Sequence, residues 1–267
     1  MVQKIKVLVT GASGRMGREV VKMVLSSGDL QLVAGVDLSS NQVDLGQLVG
    51  LAPCGIMMTQ DLEQALQSSQ ADVMVDFTAP HIAVQHTKLA IALGVRPVIG
   101  TSGFASEDIH VLDQLSRDKQ IGGAIIPNFS IAAVLMMQFA AQASKYYPHL
   151  EIIEYHGDQK LDAPSGTSIK TAELIAASRQ HIEQGNPAEE ELLPGARGAY
   201  YKGFRIHSVR LPGIFAQQEV VMAAFGESLK IRHDSYDRAS YMPGVHLCIQ
   251  KVMHASGIIY GLEHFME

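Results

Sequence analysis

The stretch "VLVTGASGRMGREV" (7–20) limits what this chain can fold into more than any other. A short apolar, β-branched run gives way to glycines at positions 11, 14 and 17, then to apolar residues at helical spacing as far as Gly28. A strand that turns directly into a helix leaves the first helical N–H groups pointing outward, where a phosphate fits. Gly11 allows the tight turn, Gly14 lets backbone approach a pyrophosphate, and Gly17 permits close helix–strand packing. Glycines alone are a weak signal. Here Asp37 closes the next strand-like run, twenty residues after Gly17. A carboxylate there accepts from ribose hydroxyls and repels a 2′-phosphate. Together these features imply a dinucleotide site, with a ligand-free tight turn as the alternative.

The alternation continues along the first half. "IKVLVTG", "LQLVAGVD", "ADVMVDFTAP", "VRPVIGTSG" and "GGAIIPNFS" read as buried strands, with further helices at "HIAVQHTKLAIALG" and "SEDIHVLDQLSRDK". Repeated strand–helix units imply an α/β class with a doubly wound parallel sheet and helices on both faces. Ligands of such sheets lie beyond the carboxyl ends of the strands. "DFTAP" (76–80), "GTSG" (100–103) and "PNFS" (127–130) fall at those ends. Their small residues and hydroxyls suit a flat ring and its ribose.

After Asn128 the rhythm changes. "SIAAVLMMQFAAQASKYY" is apolar nearly all round and reads as a buried helix linking two domains, its methionines as packing. A strand, "HLEIIEYH", follows, then a helix from about Ser165 to Arg179 and a polar loop, "RQHIEQGNPAEEELLPGARG". Three strand-like runs, "FRIHSVRLP", "QEVVMAAFG" and "SLKIRHDS", do not continue the βα pattern and imply a separate sheet. The terminal "YMPGVHLCIQKVMHASG" reads as a helix that packs back on the first domain. The expected division is 1–128 with 236–267, against 129–235.

Composition narrows the function classes. The 267 residues suffice for one large or two moderate domains, and 47% hydrophobic with 18% charged residues fits a packed chain, not a disordered one. A net charge of −6 with no basic run excludes nucleic acid as the expected partner. Any anionic ligand must therefore be held by a few local cations or N–H groups. Cys54 and Cys248 stand outside any CxxC or zinc spacing, so free thiols in a reducing compartment and no metal are expected. No window approaches a membrane-spanning length, and the N-terminal apolar run is too short for a signal peptide. The expectation is a cytoplasmic protein.

The stretch "EYHGDQKLDAPSGTS" (154–168) gathers chemistry in the second half. At the end of a strand, Glu154 and His156 share one face. Lys160 follows in the loop. Ser165, Gly166 and Thr167 then offer hydroxyls and helix N-terminal N–H groups, a ready carboxylate site, with glycine allowing close approach. Histidine and lysine beside it supply charge and a proton. Singly, each residue is as well explained by an exposed side chain or a helix cap. Together, behind a dinucleotide domain, they imply a hydride-transfer site for a small carboxylic acid.

"GASGRMG", "DFTAP", "GTSGF", "PNFS" and above all "KLDAPSGTS" resemble the 4-hydroxy-tetrahydrodipicolinate reductase (dihydrodipicolinate reductase) family of the diaminopimelate–lysine pathway. The likeness runs in the same order through "IHSVRLPG" and "RHDSYDRASYMPG". It implies a Rossmann-type domain plus a second α+β domain whose open mixed sheet builds a homotetramer. It also implies hydride delivery from NADH or NADPH to a cyclic imine-type dicarboxylate, giving tetrahydrodipicolinate. By this resemblance His156 is the proton donor/acceptor and Lys160 the second proton donor, with Gly157, Ser165, Gly166 and Thr167 at the substrate. Gly11, Ala12, Ser13, Gly14, Arg15, Met16, Asp37, Phe77, Thr78, Gly100, Thr101, Ser102, Ile126, Pro127, Asn128, Phe129 and Arg238 are implied cofactor neighbours. Two departures stand out: Gly157 replaces the second of two adjacent family histidines, and "NFSIAAV" lacks a glycine the family tends to have after the serine. His207, His233 and Arg210 are the candidates to replace the missing imidazole. A reductase of another small imino or keto acid, or a dinucleotide-binding regulatory protein without turnover, are the alternatives.

Overall fold

The computed structural model describes residues 3–39, 42–101 and 103–266. Ser102, expected beside the cofactor, lies outside the described residues. The chain forms two units, Met1–Ser130 with Tyr241–Glu267, and Ile131–Ser240.

In the first unit the five strands expected from the sequence are present as β1 (Ile5–Thr10), β2 (Leu30–Val36), β3 (Val73–Asp76), β4 (Arg96–Ile99) and β5 (Gly122–Ile125). Helices α1 (Arg15–Ser26), α2 (Leu45–Leu48), α3 (Leu62–Ser69), α4 (Pro80–Ala92) and α5 (Ser106–Asp118) lie between them. Strand β3 is buried at all four positions, as a parallel strand covered on both faces requires. Its Met74 joins Leu8, Leu66, Ile91, Ile99, Leu112 and Ile125 in one core. Pro80 opens α4, where its missing N–H costs no hydrogen bond.

The second unit runs α6 (Ile131–Ala143), β6 (Leu150–His156), α7 (Gly166–Ser178), β7 (Ala199–Tyr201), β8 (Phe204–Arg210), β9 (Ala216–Ala224) and β10 (Glu227–Ser235). Its sheet has the order β10-β9-β6-β8-β7, with β6 and β8 parallel and the other pairs antiparallel. The pleat sends Leu150, Ile152, Ile206, Phe204, Val220 and Met222 to one face, where they pack with Ala140 of α6 and Ala172 and Ile175 of α7. The expectation that α6 is a buried helix holds for only part of its surface. Gln138 and Gln142 are exposed, and Phe139 is 52% exposed, because α6 lies on one face of this sheet with its outer side uncovered within the unit.

The chain then returns to the first unit through α8 (Met242–Val252), which packs on α1, β4 and β5 as expected. It ends with a strand that the sequence reading missed, β11 (Gly257–Tyr260), parallel to β5. Among the described residues the first sheet has six strands in the order β11-β5-β4-β3-β1-β2, all parallel. From β1 the chain moves outward to β2, then crosses to β3 on the other side. The Gly-rich turn after β1 thus sits at the reversal of strand order, where the loops diverge and leave a crevice.

Candidate active site

The turn after β1 is built by its glycines. Gly11 has φ +70°, and an added Cβ would stand 2.7 Å from the Phe77 carbonyl oxygen. A Cβ on Gly17 would stand 2.0 Å from the carbonyl oxygen of Gly11, so the helix rests on the turn itself. The Gly11 and Ala12 N–H groups donate to the Val36 carbonyl at 2.9 and 3.2 Å, tying the turn to the end of β2. The Asp37 carboxylate accepts from the Ser13 N–H at 3.0 Å and from the Ser39 N–H and hydroxyl at 2.8 and 2.6 Å. Burial raises its pKa, but the donors from Ser13 and Ser39 outweigh this and hold it below the usual carboxylate range. Arg15 and Met16 open α1, with Gly14 as its N-cap and Arg15 exposed. The first turn thus presents N–H groups and the positive helix end beside an ionised acid.

The strand ends at the crevice are knitted by a residue whose anchoring role the sequence reading did not assign. Asp76, fully buried at the end of β3, accepts from the hydroxyls of Thr10 at 2.7 Å, Thr78 at 2.7 Å and Thr101 at 3.2 Å. The Thr78 N–H at 2.9 Å and His86 Nδ1 at 2.8 Å complete the set. Burial would raise this carboxyl, yet His86, Thr10 and Thr78 hold it low. The Phe77 ring fills the place of a side chain at Gly100, where a Cβ would stand 2.0 Å from the ring, and it meets the Phe129 ring at 5.6 Å between centroids. Ile126 donates to the Ile99 carbonyl at 2.9 Å, and the Asn128 side chain accepts from the Ser130 N–H at 2.9 Å, on either side of Pro127. These contacts bring together Phe77, Thr78, Gly100, Thr101, Ile126, Asn128 and Phe129 at the strand ends. They fit a dinucleotide: a backbone cradle with no room for Cβ atoms, an anionic residue for ribose, and small polar loops. Arg238 belongs to the second unit, where its guanidinium lies 5.3 Å from the Phe215 ring centre.

In the second unit β6 delivers Glu154 and His156 to the helix-covered face. Glu154 is fully buried, accepts from Arg210 Nη2 at 2.7 Å and is hydrogen-bonded to His156 Nδ1. Burial alone would raise the Glu154 carboxyl; the hydrogen bonds from His156, Arg210 and Ser208 reverse this and bring it down to about 2. Lys160 donates to the Asp162 carboxylate at 2.6 Å, and its N–H to the Gly157 carbonyl at 3.1 Å closes the turn after β6. The Ser165 hydroxyl caps α7 by accepting from the Ser168 N–H at 3.2 Å. It also pairs with the Ser168 hydroxyl, which donates to the buried Gln218 of β9. The cap is therefore fixed, while Gly166 is exposed, with nothing within 4 Å of an added Cβ. Thr167 is half-buried beside it.

The candidates to replace the missing imidazole at 157 separate cleanly. His207 pairs with Ile153 across the strands, so it points to the opposite face from His156 and binds Glu151 at 2.8 Å. Arg210 shares the face but is engaged by Glu154 and by the Asp162 carbonyl at 2.9 Å. His233 pairs with Gln218, which pairs with Glu154, and so shares the face as well. Burial pushes its imidazole down, toward the neutral form.

Known proteins resemble this chain in both of its halves. A family model described as "Dihydrodipicolinate reductase, N-terminus" matches residues 5–129, and one described as "Dihydrodipicolinate reductase, C-terminus" matches residues 132–266. A 4-hydroxy-tetrahydrodipicolinate reductase of Desulfitobacterium hafniense is 48% identical over 266 residues, covering 99% of this chain and 100% of its own. One from Listeria welshimeri is 49% identical over 262 residues, 98% of this chain and 100% of that one. A dipicolinate-bound dihydrodipicolinate reductase from Paenisporosarcina sp. TG-14 superposes with a TM-score of 0.87 at 44% identity, covering 98% of this chain and 99% of that chain. Matched in both halves and over nearly its whole length, this chain belongs to the dihydrodipicolinate reductase family.

Proposed function

We propose that the protein reduces a cyclic dihydrodipicolinate-type dicarboxylate with NADH or NADPH, giving tetrahydrodipicolinate on the route to diaminopimelate and lysine. One observation carries the reading: Glu154 and His156 at the end of β6, Lys160 in the next turn and a capped helix N-terminus at Ser165 form one constellation in a member of this family. The dipicolinate bound by the Paenisporosarcina relative supports a ring dicarboxylate as ligand.

In this reading the residues 1–128 with 236–267 hold the cofactor and 129–235 hold the substrate. The turn Gly11–Ala12–Ser13–Gly14 and the start of α1 take the pyrophosphate, and Asp37 takes the ribose. The reduced nicotinamide supplies a hydride and its electron pair. His156 and Lys160 hold and deliver the proton that completes the reduction, and the α7 N-terminus at Gly166 and Thr167 orients a substrate carboxylate. The open face of the second sheet carries Ile153, Tyr155, Val209 and Val221 among charged neighbours. It supports a homotetramer, which sedimentation would register as four times the 28.9 kDa chain. Among the described residues no helix is long and apolar enough to cross a membrane.

The deciding experiment follows NADH oxidation with freshly generated substrate. Turnover with the dihydrodipicolinate-type acid is expected. Turnover only with another imino or keto acid changes the substrate, and cofactor binding without any turnover makes the protein a regulator.

A further inference from the structure

The ion pair of Glu154 with Arg210 has no part in the chemistry proposed for His156 and Lys160. Glu154 and Arg210 are joined at 2.7 Å, and an ion pair taken out of water is weak support for stability, because desolvation opposes the attraction. What the pair touches is more informative. The second oxygen of Glu154 is bonded to His156 Nδ1. The same Arg210 nitrogen that reaches Glu154 also donates to the Asp162 carbonyl at 2.9 Å, and the Asp162 carboxylate receives Lys160 at 2.6 Å. A continuous chain of hydrogen bonds and one short stretch of backbone thus runs from His156 through Glu154, Arg210 and Asp162 to Lys160.

We propose that Glu154 and Arg210 are positioning residues for the reaction, holding His156 and the Lys160 turn in a single frame. The inference rests on the function proposed above and adds to it. An ionised carboxylate only accepts hydrogen bonds, so the nitrogen facing Glu154 must carry the ring proton. Nδ1 is thereby fixed as the donor and Nε2 becomes the nitrogen that exchanges a proton with substrate. Arg210 keeps Glu154 ionised and in place, and through Asp162 it sets the turn that carries Lys160. A guanidinium suits this task because its fork presents donors in several directions at once. The sheet register supports the arrangement: Arg210 stands directly opposite His156 on the neighbouring parallel strand, and Ser208 stands opposite Glu154.

The test begins with the wild-type protein labelled with 15N-histidine, at a pH where the ring is neutral, with the His156 signal assigned by its loss in His156→Asn. A proton on Nδ1 is expected; a proton on Nε2 overturns the proposal and needs no variant of the frame to fold. Kinetics of Glu154→Gln then follow. We expect kcat to fall at least about tenfold with the KM for NADH within about twofold of wild type, and the ring to populate both tautomers. Arg210→Lys, which keeps the charge but replaces the rigid planar fork with a flexible ammonium, should show the same split to a smaller degree. Wild-type kcat in a folded Glu154→Gln protein, or a loss shared equally by cofactor binding, overturns the positioning role. A wild-type protein with no turnover overturns the proposed function instead, so the two failures are told apart.

Discussion

Each unit of this protein buries a carboxylate at the carboxyl end of a strand, and the two are satisfied in different ways. Asp76 is surrounded by three threonine hydroxyls, one backbone N–H and a histidine. Glu154 faces an arginine, a histidine and a serine. The first set is mostly neutral and joins the ends of β1, β3 and β4, so its work is to hold loops still. The second set includes a permanent cation, Arg210, which also bonds to the turn that carries Lys160. A buried acid tied to hydroxyls shapes a site. One paired with a guanidinium also couples its strand to the turn that follows.

The sharpest way to break this contrast is to remove Lys160, the cation to which the proposed function gives the proton transfer. Lys160→Ala should lower kcat by about 100-fold or more, the scale of lost general-acid assistance. Stability should hardly change, since its partner Asp162 is 62% exposed and such pairs contribute little. The KM for NADH should stay near wild type. A variant that keeps the wild-type rate at saturation makes Lys160 a surface residue.

The acids themselves separate in acid titration. Glu154 has a folded-state pKa of about 2 against an ordinary 4.5, so the native protein binds fewer protons than the unfolded chain between those values. Its contribution is fully present above pH 4.5 and is lost as pH falls toward 2. The interval corresponds to roughly 3 kcal/mol. Asp76 acts in the same direction, its contribution being lost as pH falls below its ordinary 3.8. Denaturant melts of wild type and Glu154→Gln from pH 6 to pH 2.5 should converge as pH falls. Parallel curves would remove Glu154 from the acid response.

Much of this arrangement was legible in the sequence, and the part that was not has a common cause. Hydrophobic period and turn residues revealed β1 to β5, α1 and α7 because those elements announce themselves locally. The last strand, β11, is only "GIIY", four residues too short to distinguish from a helix end, and only its pairing with β5 makes it a strand. Glycines 11 and 17 could be read as a cradle from spacing. The need for glycine at 100 could not, since it comes from the Phe77 ring, 23 positions away. Likewise His156 and Lys160 stood out in one quoted stretch, whereas the bonds of Arg210 to Glu154 and to the Asp162 carbonyl come from β8, and only the register of the sheet reveals them.

A smaller effect sharpens the first unit's side. Asp37 is ionised, held by Ser13 and Ser39, and followed by Leu38, so a 2′-phosphate meets a negative group with no adjacent cation in the sequence. NADH is expected to bind at least as well as NADPH, with Arg15 at the start of α1 as the cation able to narrow the gap. Titration of both reduced cofactors decides this, and a strong preference for NADPH would refute it.

The smallest expected effect returns to the second unit and to Gly157, which stands where the sequence resemblance implies a second histidine. Glycine is often kept for left-handed backbone, but Gly157 is not among the residues of positive φ, so a side chain is not barred by conformation. An added Cβ would stand 3.2 Å from the Ile214 carbonyl oxygen, and that neighbour must give by a few tenths of an ångström. Of the candidates to replace the lost imidazole, His207 points to the other face and Arg210 is engaged by Glu154 and Asp162. A histidine restored at 157 therefore adds a donor that neither of these supplies. A charge-assisted hydrogen bond to a carboxylate is worth about 1.5–3 kcal/mol at best, and crowding against Ile214 subtracts from it. Gly157→His should then lower the KM for the dicarboxylate by roughly two- to tenfold, with a smaller change in kcat, because it strengthens ground-state binding of an anion. The thermal midpoint, measured alongside, separates a crowded pocket from a misfolded one. An unchanged or raised KM in a well-folded variant would mean that the carboxylate is already held by other groups, and the second unit would then need no imidazole at this position.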